Sequence, residues 1–389
     1  MRKSKRLDKI PPYLFVKIEE QKEKLLKKGI DIIDFGIGDP DLATPAHIVK
    51  RMQEVVGSKE AANYPTSRGE LSFRKAVADW YQKRFKVTLD PNHEVCCLIG
   101  SKEGLAHLPL CFIDPEDIAL IPDPSYPVYK ICTTLAGGEP YLLPLKVENG
   151  FLPDLESIPQ DILGKAKLFF INYPNNPTGA VADLSFFEKC VDFARKNNLL
   201  LVSDLAYSEM AYDGYLPHSV LEIPKAKDVT IEFHSLSKTY NMTGWRIGMA
   251  VGNSEAVQAL ATIKSNIDSG AFKAIQFAAI EALTGPQDCV LQNNKIFEER
   301  RNILYEGLVS LGWRFEKPKA TFYMWVPVPA EETSESFTAK LLEKCGILVV
   351  PGNGYGPSGE GYVRFAITIP KEKIIEAIQR LKKQEIRFQ

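Results

Sequence analysis

No C-x-x-C pair occurs among the seven cysteines (Cys96, Cys97, Cys111, Cys132, Cys190, Cys289 and Cys345) of this 389-residue chain. Their odd number and scattered spacing argue against a disulfide framework and predict reduced, mostly buried thiols. Histidine is equally scarce. The five (His47, His93, His107, His218, His234) form no H-x-x-x-H or H-x-x-E-H pattern, so no metal site is expected. No apolar run reaches the ~20 residues that a membrane helix needs. The basic start, MRKSKRLDKIPPYLF, lacks the apolar core of a signal peptide. An excess of one charge is missing too. With 48 basic against 49 acidic residues the formal net charge is −1, which speaks against a nucleic-acid partner. It leaves room for a small charged ligand held by one or two arginines. A cytoplasmic protein that binds neither membrane nor nucleic acid is expected.

What is present is an ordinary globular composition, 45% hydrophobic and 25% charged, long enough for one large or two closely joined domains. Apolar runs at 95–99, 118–121, 168–171, 199–202, 229–233 and 247–251 predict buried strands. Helical patterns lie between them, such as LSFFEKCVDFARK at 184–196, where Phe186, Phe187, Cys190, Val191 and Ala194 share a face. Buried strands alternating with helices predict an α/β large domain, a mostly parallel sheet between helices. After about Leu283 the texture changes to a long helix over 287–311, then short strands and helices. The expected division is an arm and part of a small domain at 1–40, a large domain at 41–284, and a smaller α+β domain at 285–389.

The segment HSLSKTYNMTGWRIG, residues 234–248, carries the most chemistry. A lone loop lysine is usually solvated, but Lys238 has Ser235 and Ser237 just before it and Arg246 eight residues after it. Hydroxyls and a guanidinium suit a phosphate dianion. Gly244 and Gly248 flank the arginine, where close backbone approach is expected. A lysine beside a phosphate site points to a Schiff base with a phosphorylated aldehyde, and pyridoxal 5′-phosphate is the common one. Its ring nitrogen needs a carboxylate, and SDLAYSEM offers Asp204 at the end of an apolar strand. Tyr207 and Asn176 (in YPNNPTGA) are candidate donors to the ring's phenolic oxygen, and Tyr126 (in PDPSYPVY) is a candidate for stacking on its face. Asn176 also reads as a turn residue, and Tyr126 as ordinary packing. The strand before Gly100 runs into Ser101-Lys102-Glu103, opening a helix whose free N–H groups suit a phosphate as well as a simple cap. Asn176, Asp204, Lys238 and the Ser101 turn each follow a presumed parallel strand, where open α/β sheets bind ligands.

GSKEGLA, YPNNPTGA, SDLAYSEM and SLSKTYNMTGWRIG, in that order, resemble the class I/II aminotransferases of the fold-type I pyridoxal-phosphate superfamily, from about Asp34 onward. The resemblance implies that Lys238 binds the cofactor and moves the proton, with Asp204 on the ring nitrogen and Tyr207 and Asn176 on the phenolic oxygen. It implies Gly100, Ser101, Lys102, Ser235, Ser237 and Arg246 around the phosphate. Tyr64 (NYPTSRG) would reach a neighbouring subunit's phosphate, implying a homodimer with shared active sites, and Arg364 (GYVRFAI) would clamp the substrate α-carboxylate.

For the substrate, two features resemble the LL-diaminopimelate aminotransferases: Tyr13 in IPPYLFVKIEEQ, as a substrate contact, and the Ser101-Lys102 pair. Gly38 in FGIGDPD matches a glycine whose backbone approaches substrate; Lys102, Tyr126 and Asn176 would also touch it. The implied reaction moves an amino group between an L-amino acid and a 2-oxo acid, 2-oxoglutarate being the acceptor. KSNIDSGAFKAIQ departs from the better-known members, which carry an asparagine-glycine segment there, and Asp268 or Glu103 is considered as an acid for the distal ammonium. Alanine, aspartate or aromatic aminotransferases, or a β-lyase of the same fold, are the alternatives. A dinucleotide oxidoreductase fails because GYGPSG at 354–359 is followed by a strand pattern. A transcription regulator fails because nothing before Asp34 is long or basic enough for a DNA-binding unit.

Overall fold

The computed structural model describes residues 3–10, 22, 27, 29 and 31–388; Tyr13 lies outside them. The strands are β1 (Ile33–Asp34), β2 (Val95–Leu98), β3 (Ile118–Asp123), β4 (Glu139–Pro144), β5 (Ala166–Ile171), β6 (Leu200–Asp204), β7 (Thr230–Ser235), β8 (Gly248–Gly252), β9 (Tyr323–Pro327), β10 (Ile347–Leu348), β11 (Val350–Pro351) and β12 (Tyr362–Ala366). Seven of them make the main sheet in the order β2-β8-β7-β6-β5-β3-β4. Helices cover both faces, so successive residues of one strand enter opposite cores: Phe169 and Ile171 one, Leu168 and Phe170 the other.

Six of the seven strands match the apolar runs in the sequence. The seventh, β4 (EPYLLP), gave no signal because it is an edge strand, only partly buried and ending in proline. The sheet also holds one reversal: β8 runs antiparallel to both neighbours, β2 and β7. The helix over Leu184–Lys196 forms as its pattern predicts and buries the same five residues. Asp183 caps it, its carboxylate accepting from the Phe186 N–H at 2.9 Å.

Beyond the main sheet, β11-β12-β9 form a three-stranded antiparallel sheet, packed with the helix Asp288–Ser310 around a third core. The first part of the chain joins this region. β1 pairs parallel with β10 (Ile33 opposite Ile347), and the Ala366 N–H donates to the Phe35 carbonyl at 2.8 Å. Arg300 on the long helix grips Asp41 through two bonds of 2.6 and 2.8 Å. All seven cysteines are free thiols. Among the described residues no helix is long and apolar enough to cross a membrane.

Candidate active site

Five strands of the main sheet deliver their carboxyl ends to one edge, and each hands over a polar residue there. Ser101 follows β2, Tyr126 follows β3, Asn172 and Asn176 follow β5, Asp204 closes β6, and Ser235, Ser237 and Lys238 come from the end of β7. The reversal of β8 completes the set. Because it runs the other way, its amino end lies at the same edge (Ser235 opposite Gly248), which brings Arg246 back to the place that Lys238 left. These side chains line a cavity of about 330 Å³ together with Gly38, Lys102, Tyr207 and Arg364. Gly100 stands behind it: its φ is +74°, and a Cβ would lie 2.4 Å from the Arg246 guanidinium. Gly248 is equally tight, a Cβ there meeting the His234 carbonyl at 2.7 Å, whereas Gly244 faces open space and no close approach occurs.

Lys238 sits in a one-turn helix, Leu236–Thr239, capped by the Ser235 hydroxyl, rather than in an extended loop. Its ammonium donates to the Gly38 carbonyl at 2.8 Å. Burial pushes its pKa down from 10.5 to about 8, with Asp39 opposing and the Arg364 and Arg246 charges assisting. Asp204 is buried. Its Oδ2 accepts from the Tyr129 hydroxyl at 2.7 Å, while Oδ1 has no partner. Burial raises this carboxyl from 3.8 to about 6, outweighing the Tyr129 hydroxyl and the Ala206 N–H, which favour the charged form.

Arg364 is 1% exposed. It donates to Asn176 Oδ1 at 2.9 Å and to the Gly36 carbonyl at 2.8 Å, and its guanidinium lies 4.1 Å from the Tyr323 ring centre. Asn176 is thus no simple turn residue: Asn172 Oδ1 accepts from its backbone N–H at 2.8 Å and Arg364 occupies its side-chain oxygen. Tyr323 enters from β9, its hydroxyl 3.2 Å from that of Tyr207. Just before it, Thr321 holds φ +64°, rare for a β-branched residue and costing about 1–3 kcal/mol. Three bonds fix that turn: the Thr321 N–H to the Met210 carbonyl, the Tyr212 hydroxyl to the Thr321 carbonyl, and the Tyr323 N–H to the Thr321 hydroxyl.

Tyr64 stands 89% exposed and does not line the cavity of its own chain, compatible with the expected reach to a neighbouring subunit. Two expected residues are placed differently: Glu103 and Asp268 do not line the cavity. Both turn to the buried ammonium of Lys264, at 2.8 and 3.0 Å, and His107 approaches Glu103 at 2.7 Å. Asn172, Tyr323 and Asp39 line the cavity without having been singled out from sequence. Asn172 carried a usable signal, standing directly after a buried strand. Tyr323 carried none, since its position depends on pairing β9 with a strand forty residues away.

A sheet edge that gathers a half-buried lysine, a carboxylate with one oxygen left without a partner, serines and an arginine suits a fold-type I pyridoxal-phosphate-dependent transferase. A family model for aminotransferase class I and II matches residues 30–381. The LL-diaminopimelate aminotransferase of Moorella thermoacetica is 57% identical, the alignment covering 98% of each chain. LL-diaminopimelate aminotransferase 2 of Trichormus variabilis is 55% identical over 100% of both. A substrate-bound BacF structure from Bacillus subtilis superposes with a TM-score of 0.96 at 39% identity, covering 100% of this chain and 99% of the other. The chain belongs to the aminotransferase class I and II family and is a pyridoxal-phosphate-dependent transaminase. The residues present fit that cofactor. The buried Asp204 Oδ1, costly without a partner, matches a protonated ring nitrogen, and the hydroxyls of Ser101, Ser235 and Ser237 with Arg246 match a phosphate.

Proposed function

We propose that the chain moves an amino group from LL-diaminopimelate to 2-oxoglutarate, as a step of lysine biosynthesis. Full-length likeness to chains named LL-diaminopimelate aminotransferase, at 57% identity for the Moorella relative, carries this reading. Pyridoxal phosphate, when bound, supplies the electron sink for the bond broken at the substrate α-carbon. Asp204 Oδ1 would hold the proton of the ring nitrogen, and Tyr129 fixes the carboxylate by its other oxygen. Since Arg364 occupies Asn176 Oδ1, the amide nitrogen is left to donate to the phenolic oxygen, alongside the Tyr207 hydroxyl. Tyr126 would stack on the ring. Ser101, Lys102, Ser235, Ser237 and Arg246 would hold the phosphate.

Lys238 would hold the cofactor and serve as the base at the substrate α-carbon. Its pKa of about 8 leaves a useful neutral fraction near neutral pH. Arg364 clamps the α-carboxylate and the Gly38 backbone borders the substrate, with Tyr13 a further contact. Tyr64, 89% exposed and away from its own cavity, supports a homodimer in which it completes the neighbour's phosphate site. The chain divides into an N-terminal arm and part of a small domain at 1–40, a large domain at 41–284, and the rest of the small domain at 285–389, a division that the β1–β10 pairing supports. The seven free thiols support a cytoplasmic location.

The test is a half-reaction panel. Holoenzyme is mixed singly with LL-diaminopimelate, glutamate, aspartate, alanine and phenylalanine, and the change in cofactor absorbance is followed. LL-diaminopimelate and glutamate should convert it. A silent LL-diaminopimelate with a responding alanine, aspartate or phenylalanine would replace the assigned donor and leave the transaminase standing.

A further inference from the structure

Tyr323 joins the small sheet to the amino-transfer site at three points. It opens β9 opposite Ala366, so Arg364, two residues earlier on β12, is its diagonal neighbour on the same face. That pairing sets the guanidinium 4.1 Å from the Tyr323 ring centre, with the Tyr355 ring 4.9 Å away as well. The second point is Gly38, where a Cβ would come within 2.1 Å of the Tyr323 hydroxyl oxygen. Only glycine lets this backbone approach, and the Gly38 carbonyl is the one that holds Lys238. The third point is the hydroxyl pair with Tyr207 at 3.2 Å. The left-handed turn at Thr321, tied down from both sides, fixes the direction in which the ring enters.

A hydroxyl pair shares one hydrogen bond, and each partner owns one proton. If Tyr207 spends its proton on the phenolic oxygen of the bound cofactor, it must accept from Tyr323. Accepting makes Tyr207 a stronger donor, because chained hydrogen bonds polarise one another. We propose that Tyr323 is a positioning residue of the transamination site: its ring seats Arg364, and its hydroxyl orients the Tyr207 proton toward the cofactor. The inference rests on the functional reading above, since it takes Tyr207 to face the phenolic oxygen and Arg364 to face the substrate carboxylate.

Two variants separate the halves of the role. Tyr323→Phe keeps the ring under Arg364 and removes only the hydroxyl. The pH midpoint of the holoenzyme's absorbance change should rise by about half a unit, and KM for the amino donor should stay within about twofold. Tyr323→Met fills the space with a flexible chain and removes the ring. KM for the donor should then rise by about tenfold, while the apoenzyme's affinity for pyridoxal phosphate changes little. Melting temperatures of both apoproteins serve as the folding control. An unmoved midpoint in Tyr323→Phe overturns the hydroxyl's role, and an unmoved KM in a folded Tyr323→Met overturns the ring's. A wild type whose absorbance responds to no amino donor overturns the functional reading itself, and this inference with it.

Discussion

The two sides of the cavity are built on different principles. The side facing the cofactor hangs from the ends of neighbouring strands of one sheet, and each contributing residue lies within five residues of its strand. The side facing the substrate carboxylate is assembled from β12, from the turn before β9 and from the 36–38 backbone, more than 300 residues away from Arg364 in sequence. The first can be formed by local rules, a strand followed by a tight polar turn. The second exists only once the three-stranded sheet has closed on the first part of the chain.

The largest expected effect tests the point where both sides meet. Lys238 comes from β7 yet bonds to Gly38 of the opposite wall. Lys238→Ala should lower turnover by at least about 10⁴-fold, measured in the steady state. A smaller loss would mean that another base moves the proton.

A pair of arginines separates the sides. Arg364→Ala should raise KM for the amino donor by about 10²-fold, because it removes a buried, hydrogen-bonded cation. Cofactor affinity should hold within about threefold. Arg246→Ala should do the reverse. The dissociation constant for pyridoxal phosphate, from equilibrium titration of the apoenzyme, should rise by about 10- to 100-fold. Its donor KM, measured with saturating cofactor, should stay near the wild type. If each variant moves both constants alike, the two-sided description fails.

The same contrast explains what the sequence could carry. Asp204, Lys238, Asn176 and the Ser101 turn follow apolar runs that already read as strands, so their common edge was inferable before any coordinates. The return of Arg246 was suggested by spacing, but its cause, the reversal of β8, was not, since an apolar run has no direction. Tyr323 and the grip of Arg300 on Asp41 were illegible for a different reason. A tyrosine in TFYMW or an arginine in a long helix looks like core or surface until its distant partner is known. Asp268 and Glu103 misled in the opposite way: they are acidic and close to the right segment, but Lys264 had already claimed both.

The smallest effect concerns stability, and it opposes function. With a folded pKa of about 6 against an ordinary 3.8, Asp204 binds its proton more tightly in the folded apoprotein than in the unfolded chain. The stability it contributes is therefore fully present below about pH 4 and lost as pH rises through 6. Replacing it with an isosteric amide removes that loss and keeps an acceptor for Tyr129. The Asp204→Asn apoprotein should match wild type near pH 4 and exceed it at pH 7 by roughly 1–3 kcal/mol in urea unfolding. In the holoenzyme the order should invert, because the carboxylate then has the ring nitrogen to pair with. An apoprotein variant with no advantage at pH 7 would show that the partnerless oxygen is already satisfied, and that the cofactor side of the cavity is not held in wait for a cation.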